Sequence, residues 1–257
     1  MKKLLSMALC AAAVAAFAEE TTITTVGVTA ITLPANQKNT IIAASFKELA
    51  TGDNISIANI VKATNLANGD KILLYTAKNT YSAWSWNATS KAWEKAAKTY
   101  TVGKDGVATE STGDAPETTT ATVGTGLWIV RASDTPSETK IALYGTYVEN
   151  KAYTTTANAW NLVGNPMQKM VEISKGAEGD RIMVPQGTMG AMRTYEYGTE
   201  GEQTGWYYVT STTEEKTIAG ELVSVAKITK AFENPSIAAG AGFWYLTKSA
   251  VELSWAE

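Results

Sequence analysis

One pattern is written twice along this chain, and an internal repeat constrains the fold more than any other feature, because it implies one supersecondary unit used twice. The first occurrence runs Gly69-Asp70-Lys71-Ile72, the aromatic pair Trp84-x-Trp86, Trp93, then Gly126-Leu127-Trp128-Ile129. The second runs Gly179-Asp180-Arg181-Ile182, Tyr195-x-Tyr197, Trp206, then Gly242-Phe243-Trp244-Tyr245. Gly69 to Trp128 spans 59 residues and Gly179 to Trp244 spans 65. Between these fixed points the chain is rich in Thr, Val, Ile, Tyr and Trp in short runs broken by turn residues, which is strand composition. The expected fold is all-β: two tandem antiparallel β-sandwich or barrel-like repeats with very little helix.

The clearest expected strands in the first half are 22–33, 40–46, 71–76, 127–132 and 140–148. Their counterparts are 161–164, 181–184, 193–197, 206–210 and 243–247. One short segment, Ser56 to Val61, reads as a helical turn, with Ser56 placed to cap it and Ile57, Ile60 and Val61 on one face. Each copy is expected to open with its own strand pair, residues 27–33 with 39–42 and 145–153 with 161–164. Residues 134–139 and 247–250 are expected to close hairpins. Two threonine-rich, charged segments, 99–122 and 211–217, are expected to be equivalent solvent-facing loops. The polar stretch 149–156 places the boundary near residue 150. The domains are then 1–18, an export signal; 19–150, the first β repeat; and 151–257, the second.

The order TLPAN, NTIIAASF, GDKI, W, GTGLWI, followed by NLVGNPM, GDRI, W, GAGFWY, resembles a group of secreted, internally duplicated all-β proteins of environmental and gut bacteria. Those proteins share a G-D-x-I, a mid-repeat tryptophan and a G-x-G-F-W box. The first copy departs from the box at Leu127, where phenylalanine is usual. The likeness covers most of the chain and implies architecture and export. It implies no activity.

Export is expected from the N-terminus as well. Lys2 and Lys3 precede an apolar run from Leu4 to Phe17, and Ala16-Phe17-Ala18 offers a small-x-small cleavage site. The expected location is secreted, periplasmic or at the cell surface. Cys10, the only cysteine, lies inside this run, so the chain beyond it holds no thiol and burial must stabilise it without disulfides. The formal charge of −3 becomes more negative without Lys2 and Lys3, and no basic stripe is present, which argues against nucleic acid as a partner. No later segment has the length of apolar sequence that a transmembrane helix requires.

Several chemistries lack their residues. The chain has no histidine, so neither a Ser-His-Asp nor a Cys-His system can assemble, and the usual zinc, haem and blue-copper ligand sets are missing. No P-loop, dinucleotide fingerprint or EF-hand loop occurs. The weak motifs that remain have ordinary structural readings. Ser224-x-x-Lys227 matches the S-x-x-K of serine acyl-transferases, but in surroundings that read as strand. Glu200-x-Glu202 and Glu214-Glu215 fall in expected loops and read as solvated charge. Met167, Met170, Met183, Met189 and Met192 could present thioethers to copper(I), but methionine more often fills core gaps. The two Gly-Asp pairs read as turns. No catalytic residue, cofactor or metal ligand is expected, and the chain is read as non-catalytic.

The aromatic hairpins are the candidate binding residues. Alternation puts Trp84 and Trp86 on one strand face, with Trp93 opposite, and Tyr195, Tyr197 and Trp206 repeat the arrangement. Such rings could stack on sugar faces, or they could form sheet core. Trp128 and Trp244 are expected in the core. The leading expectation is a structural or adhesive protein of the cell surface or matrix, with polysaccharide or other surface proteins as partners. A carbohydrate-binding module using the hairpin faces is the alternative, and an outer-membrane β-barrel a third reading.

Overall fold

The structure is a computed structural model that describes residues 26–48, 54–61, 65–77, 80–96, 109–112, 115–147, 151–186, 191–218 and 221–255. The expected export signal, Cys10 and Met189 lie outside them, as do residues 99–108. The first half contributes β1 (Val26–Leu33), β2 (Asn39–Ala43), β3 (Asn54–Ser56), the helical turn α1 (Ile57–Ile60), β4 (Lys71–Ala77), β5 (Thr80–Asn87), β6 (Ala92–Lys95), β7 (Thr109–Thr112), β8 (Thr120–Thr122), β9 (Gly126–Val130) and β10 (Thr139–Thr146). The second contributes β11 (Lys151–Thr154), β12 (Ala159–Gly164), β13 (Val171–Glu172), β14 (Arg181–Gln186), β15 (Ala191–Glu200), β16 (Gln203–Ile218), β17 (Glu221–Phe232), β18 (Ser236–Ile237), β19 (Gly242–Thr247) and β20 (Glu252–Trp255). The protein is all-β, and nearly every pairing is antiparallel; β7 against β5 is parallel.

Each half builds one main sheet. The first runs β2-β9-β4-β5-β6, with β7 beside β5; the second runs β12-β19-β14-β15-β16-β17. Strand for strand these are the same order, with β17 added. The smaller pairs also correspond: β1 with β10 and β11 with β20, β3 with β8 and β13 with β18. The first core lies between the inner face of its sheet and the elements that cover it, joining Ile72, Trp84, Trp86, Leu127 and Ile129 to Leu33, Ile55, Ile57, Ile141 and Leu143. The second joins Ile182, Tyr195, Trp206, Phe243 and Tyr245 to Met167, Ile173, Ile237 and Leu253.

Several expected pairings are corrected. The strands that open each half do not pair with each other; β1 pairs with β10 and β2 with β9, and likewise β11 with β20 and β12 with β19. Residues 134–139 and 247–250 therefore link different sheets and do not close hairpins. Composition marks a strand, but partner choice depends on contacts far apart in sequence. The polar stretch 149–156 contains β11, and residues 211–217 are the outer part of β16, not a loop. Threonine-rich alternation suits a solvated strand as well as a loop. The segment 99–122 likewise holds β7 and β8. At α1, Ile57, Ile60 and Val61 are buried as expected, but Ser56 does not cap the turn. Its hydroxyl donates to Glu48 Oε1 instead.

The Gly-Asp turns are built alike. Gly69 and Gly179 take φ of 85° and 82°, a left-handed conformation that favours glycine. Trp86 N–H donates to Asp70 O and Gly69 N–H to Trp86 O; Tyr197, Asp180 and Gly179 repeat the exchange. Both carboxylates are fully buried and satisfied. Asp70 accepts from the amides of Ala67 and Ala132 and from Arg131 Nε at 3.0 Å. Asp180 accepts from the amides of Ala177 and Lys248 and from the Tyr245 hydroxyl at 2.8 Å. A buried cation in one half is thus replaced by a neutral phenol in the other.

The G-x-G segments form a seam between the halves. Gly164 N–H donates to Gly124 O and Ala43 N–H to Gly240 O, both at 2.8 Å, and single antiparallel bridges join Thr125 to Val163 and Ile42 to Ala241. A Cβ on Gly126 would stand 2.8 Å from Val163 O, and one on Gly242 would stand 2.3 Å from Ile41 Cγ2 and 2.9 Å from Ile42 O. The second glycine of each segment lets the other half's backbone approach.

Candidate functional site

The hairpin aromatics lie in the core, not on a surface. Exposure is 0% for Trp84, 4% for Trp86, 2% for Trp93, 3% for Tyr195 and 0% for Trp206, and Tyr197 is half-buried. Trp93 donates its indole N–H to Val61 O and Trp206 to Lys175 O, so each ring is tied to the layer beneath. Across the hairpins, Trp86 meets Trp93 edge-on at 5.2 Å and Tyr197 meets Trp206 edge-on at 5.3 Å. These six positions lack the accessible coplanar faces that sugar stacking requires. The expectation that they form a binding platform is corrected: alternation puts them on one face, and that face is the one each half covers.

The same alternation sends other rings outward. On β19, Phe243 and Tyr245 point into the core, leaving Trp244 on the outer face between Leu162 of β12 and Met183 of β14. On β9, Leu127 and Ile129 point inward, and Trp128 packs on the outer face with Leu73, Ala83 and Tyr81. Trp128 and Trp244, expected in the core, are therefore half-buried outer-face residues. Both neighbours of each tryptophan are also apolar, so the sequence offers no polar contrast to assign the faces.

Where the two outer faces meet at the seam, they enclose a cleft of about 710 Å³. Trp244, Trp160, Met183 and Leu162 come from the second sheet, and Tyr75 and Tyr81 from the first. Tyr75 meets Trp244 edge-on at 5.1 Å, which is a direct contact between the halves, and lies 5.4 Å from Tyr81. Trp160 stands edge-on to Trp244 at 6.3 Å. Threonine and asparagine side chains supply the remaining polar lining, and among the described residues none that lines the cleft carries a charge. Asn161 is fully committed: its Oδ1 accepts from Thr156 N–H at 2.7 Å, and its Nδ2 donates to the carbonyls of Thr156, Ala159 and Tyr245.

Burial pushes the Tyr81 phenol up to about 12, while a hydrogen bond with Trp128 acts the other way. Tyr153, also in the lining, is raised by burial. The Tyr81 and Tyr153 phenols therefore stay neutral hydroxyls through the physiological range. Such a surface can stack rings and exchange hydrogen bonds; among the described residues it offers no paired acids, no nucleophile with a base and no cation.

The other motifs sit elsewhere. Ser224 and Lys227 lie on β17, where an i, i+3 spacing puts side chains on opposite faces and not on one helical turn. Met167 is in the second core, Met183 on the cleft floor and Met170 exposed to solvent. Among the described residues no three of His, Cys, Asp and Glu gather as a metal site. The cleft draws residues from six separate strands and two connecting segments, which is why no local motif announced it. One signal was legible: Tyr75, Tyr81, Tyr153 and Trp160 are large aromatics outside the repeated pattern. Compared with protein-family models, curated proteins and solved structures, the chain matches none of them.

Proposed function

We propose that this is an exported, non-catalytic adhesive protein that holds a neutral saccharide in the cleft between its two halves. The observation that carries the reading is the cleft itself: about 710 Å³, walled by Tyr75, Tyr81, Trp160 and Trp244, and free of charged lining among the described residues. Sugar rings present apolar C–H faces that stack on aromatics and hydroxyls that exchange hydrogen bonds with Thr, Asn and Tyr. An uncharged lining favours neutral glycans over uronic or sulfated ones, because an anion entering it would lose hydration without meeting a cation. Export rests on the signal-like residues 1–18. Duplication of one unit is supported by the matching strand orders, the matching Gly-Asp turns and the reciprocal seam.

A glycan array followed by calorimetry tests the reading. Neutral polysaccharide fragments should bind; Trp160→Ala should remove binding while the thermal midpoint stays near that of the parent, because Trp160 is half-exposed. Absence of binding to every neutral glycan by a folded chain refutes the saccharide assignment.

A further inference from the structure

We propose that two copies of this chain associate through the free edge of β17, extending the second sheet across a two-fold axis. The hairpin β16–β17 outgrows the sheet that carries it. β15 pairs with β16 only as far as Thr194 opposite Val209, whereas β16 and β17 pair on to Ile218 opposite Glu221. Nine residues of β16 therefore project from the body, about 30 Å at strand rise. The described side chains along this arm are mostly solvent-exposed on both faces, with Ile228 among the most exposed large apolar residues. Among the described residues no strand lies against the outer edge of β17. A two-stranded ribbon without a covered face is marginal alone, and an unpaired edge is a template for another strand.

The backbone and the charges together select the occupant and its register. Glu233 N–H donates to Trp206 O, and the regular register places odd-numbered β17 residues toward β16. Even-numbered residues, 222 to 232, therefore aim their N–H and C=O groups outward. For antiparallel pairing with a second β17, even residues must face even residues. Under that rule Glu221 cannot stand opposite Lys230 but can stand opposite Lys227, and this occurs in one register, centred on Ser224 against Ser224 of the second copy. The two-fold axis generates the pair twice, both on the same face of the new sheet. The arm carries both signs, Glu214, Glu215 and Glu221 with Lys216 and Lys227, while Lys230 lies on the body and pairs there with Glu196 and Glu200. The outer edge of β16 has no such solution, since the register that sets Glu214 opposite Lys216 also sets Glu215 opposite itself.

The paired edge covers seven residues, Glu221 to Lys227, so association is weak and concentration-dependent. Analytical ultracentrifugation of the whole chain, from about micromolar to about millimolar, should show a monomer–dimer equilibrium. Opposite charges facing across strands stabilise and like charges destabilise, so Glu221→Lys should raise the dissociation constant about tenfold or more. The double variant Glu221→Lys/Lys227→Glu should recover association. Ser224→Pro removes an outward N–H that the hairpin does not use, and edge strands tolerate proline there; it should abolish the dimer with the thermal midpoint unchanged. A chain that stays monomeric at every concentration overturns the proposal. So does a dimer that survives both Ser224→Pro and Glu221→Lys. Glycan binding plays no part in these measurements, so they stand apart from the saccharide reading.

Discussion

Replacing Gly242 by alanine tests the seam that joins the halves. The backbone at Gly242 is not in the left-handed region, so a methyl group meets only a question of space. That space is occupied: the new Cβ would lie 2.3 Å from Ile41 Cγ2, 2.9 Å from Ile42 O and 3.1 Å from Val163 O. The Ile41 methyl could turn away, but two backbone oxygens in buried strands cannot, so the strands must part by a few tenths of an ångström. Overpacking of this kind costs about 1–3 kcal/mol. The loss of chain entropy in the unfolded state returns about 0.4–1 kcal/mol. With backbone atoms in the clash the upper part of the range applies, and the net loss is about 2 kcal/mol. For a chain of this size that is about 4–8 °C in thermal midpoint. Gly201→Ala is the control: its φ is 65° with nothing within 4 Å of the added carbon, so only the left-handed penalty of about 1–2 kcal/mol applies, offset by the same entropy gain. Gly126→Ala, whose Cβ would meet Val163 O at 2.8 Å, should behave like Gly242→Ala. Because both press on one seam, the double variant should lose less than the sum. Differential scanning calorimetry decides the matter. If Gly126→Ala and Gly242→Ala cost no more than Gly201→Ala, the seam glycines are not kept by close approach.

The two buried aspartates should respond differently to the same change. Asp70→Asn leaves the buried Arg131 guanidinium without its counter-charge and should cost about 3–5 kcal/mol. Asp180→Asn disturbs only neutral donors and should cost about 1–3 kcal/mol, and urea titrations that rank them otherwise would reject the pairing logic. Alkaline pH should destabilise the fold. Burial, with Glu233 nearby, holds Tyr195 up to about 12, Tyr81 stands about as high, and burial and the hydrogen bond to Asp180 raise Tyr245 further. Unfolded tyrosines ionise near 10. Between about pH 10 and 12 the folded chain therefore keeps protons that the unfolded chain loses, and stability falls as pH rises. A urea midpoint that stays constant from pH 9 to 11, with all tyrosines titrating together at 295 nm, would contradict this.

The repeated pattern and its composition specified strands, turns and the two Gly-Asp corners, because these depend on local chemistry: alternation, positive φ at glycine and a short carboxylate that satisfies nearby amides. Trp84 with Trp86, and Tyr195 with Tyr197, could be assigned to a common face on spacing alone. Which face would be covered was a different matter. Leu127 and Trp128 are adjacent and both apolar, as are Phe243 and Trp244, yet the first of each pair is sealed in a core and the second stands on the outer face, since only the covering strands β1, β10, β11 and β20 distinguish inside from outside. Strand partners were equally out of reach: β1 finds β10 more than a hundred residues away, and no local signal encodes that choice. The seam and the cleft exist only where the two halves touch, so Tyr75 and Trp160 acquire a shared surface from tertiary contact. Local sequence determined the strands and their turns; long-range packing decided which faces remain open to a ligand.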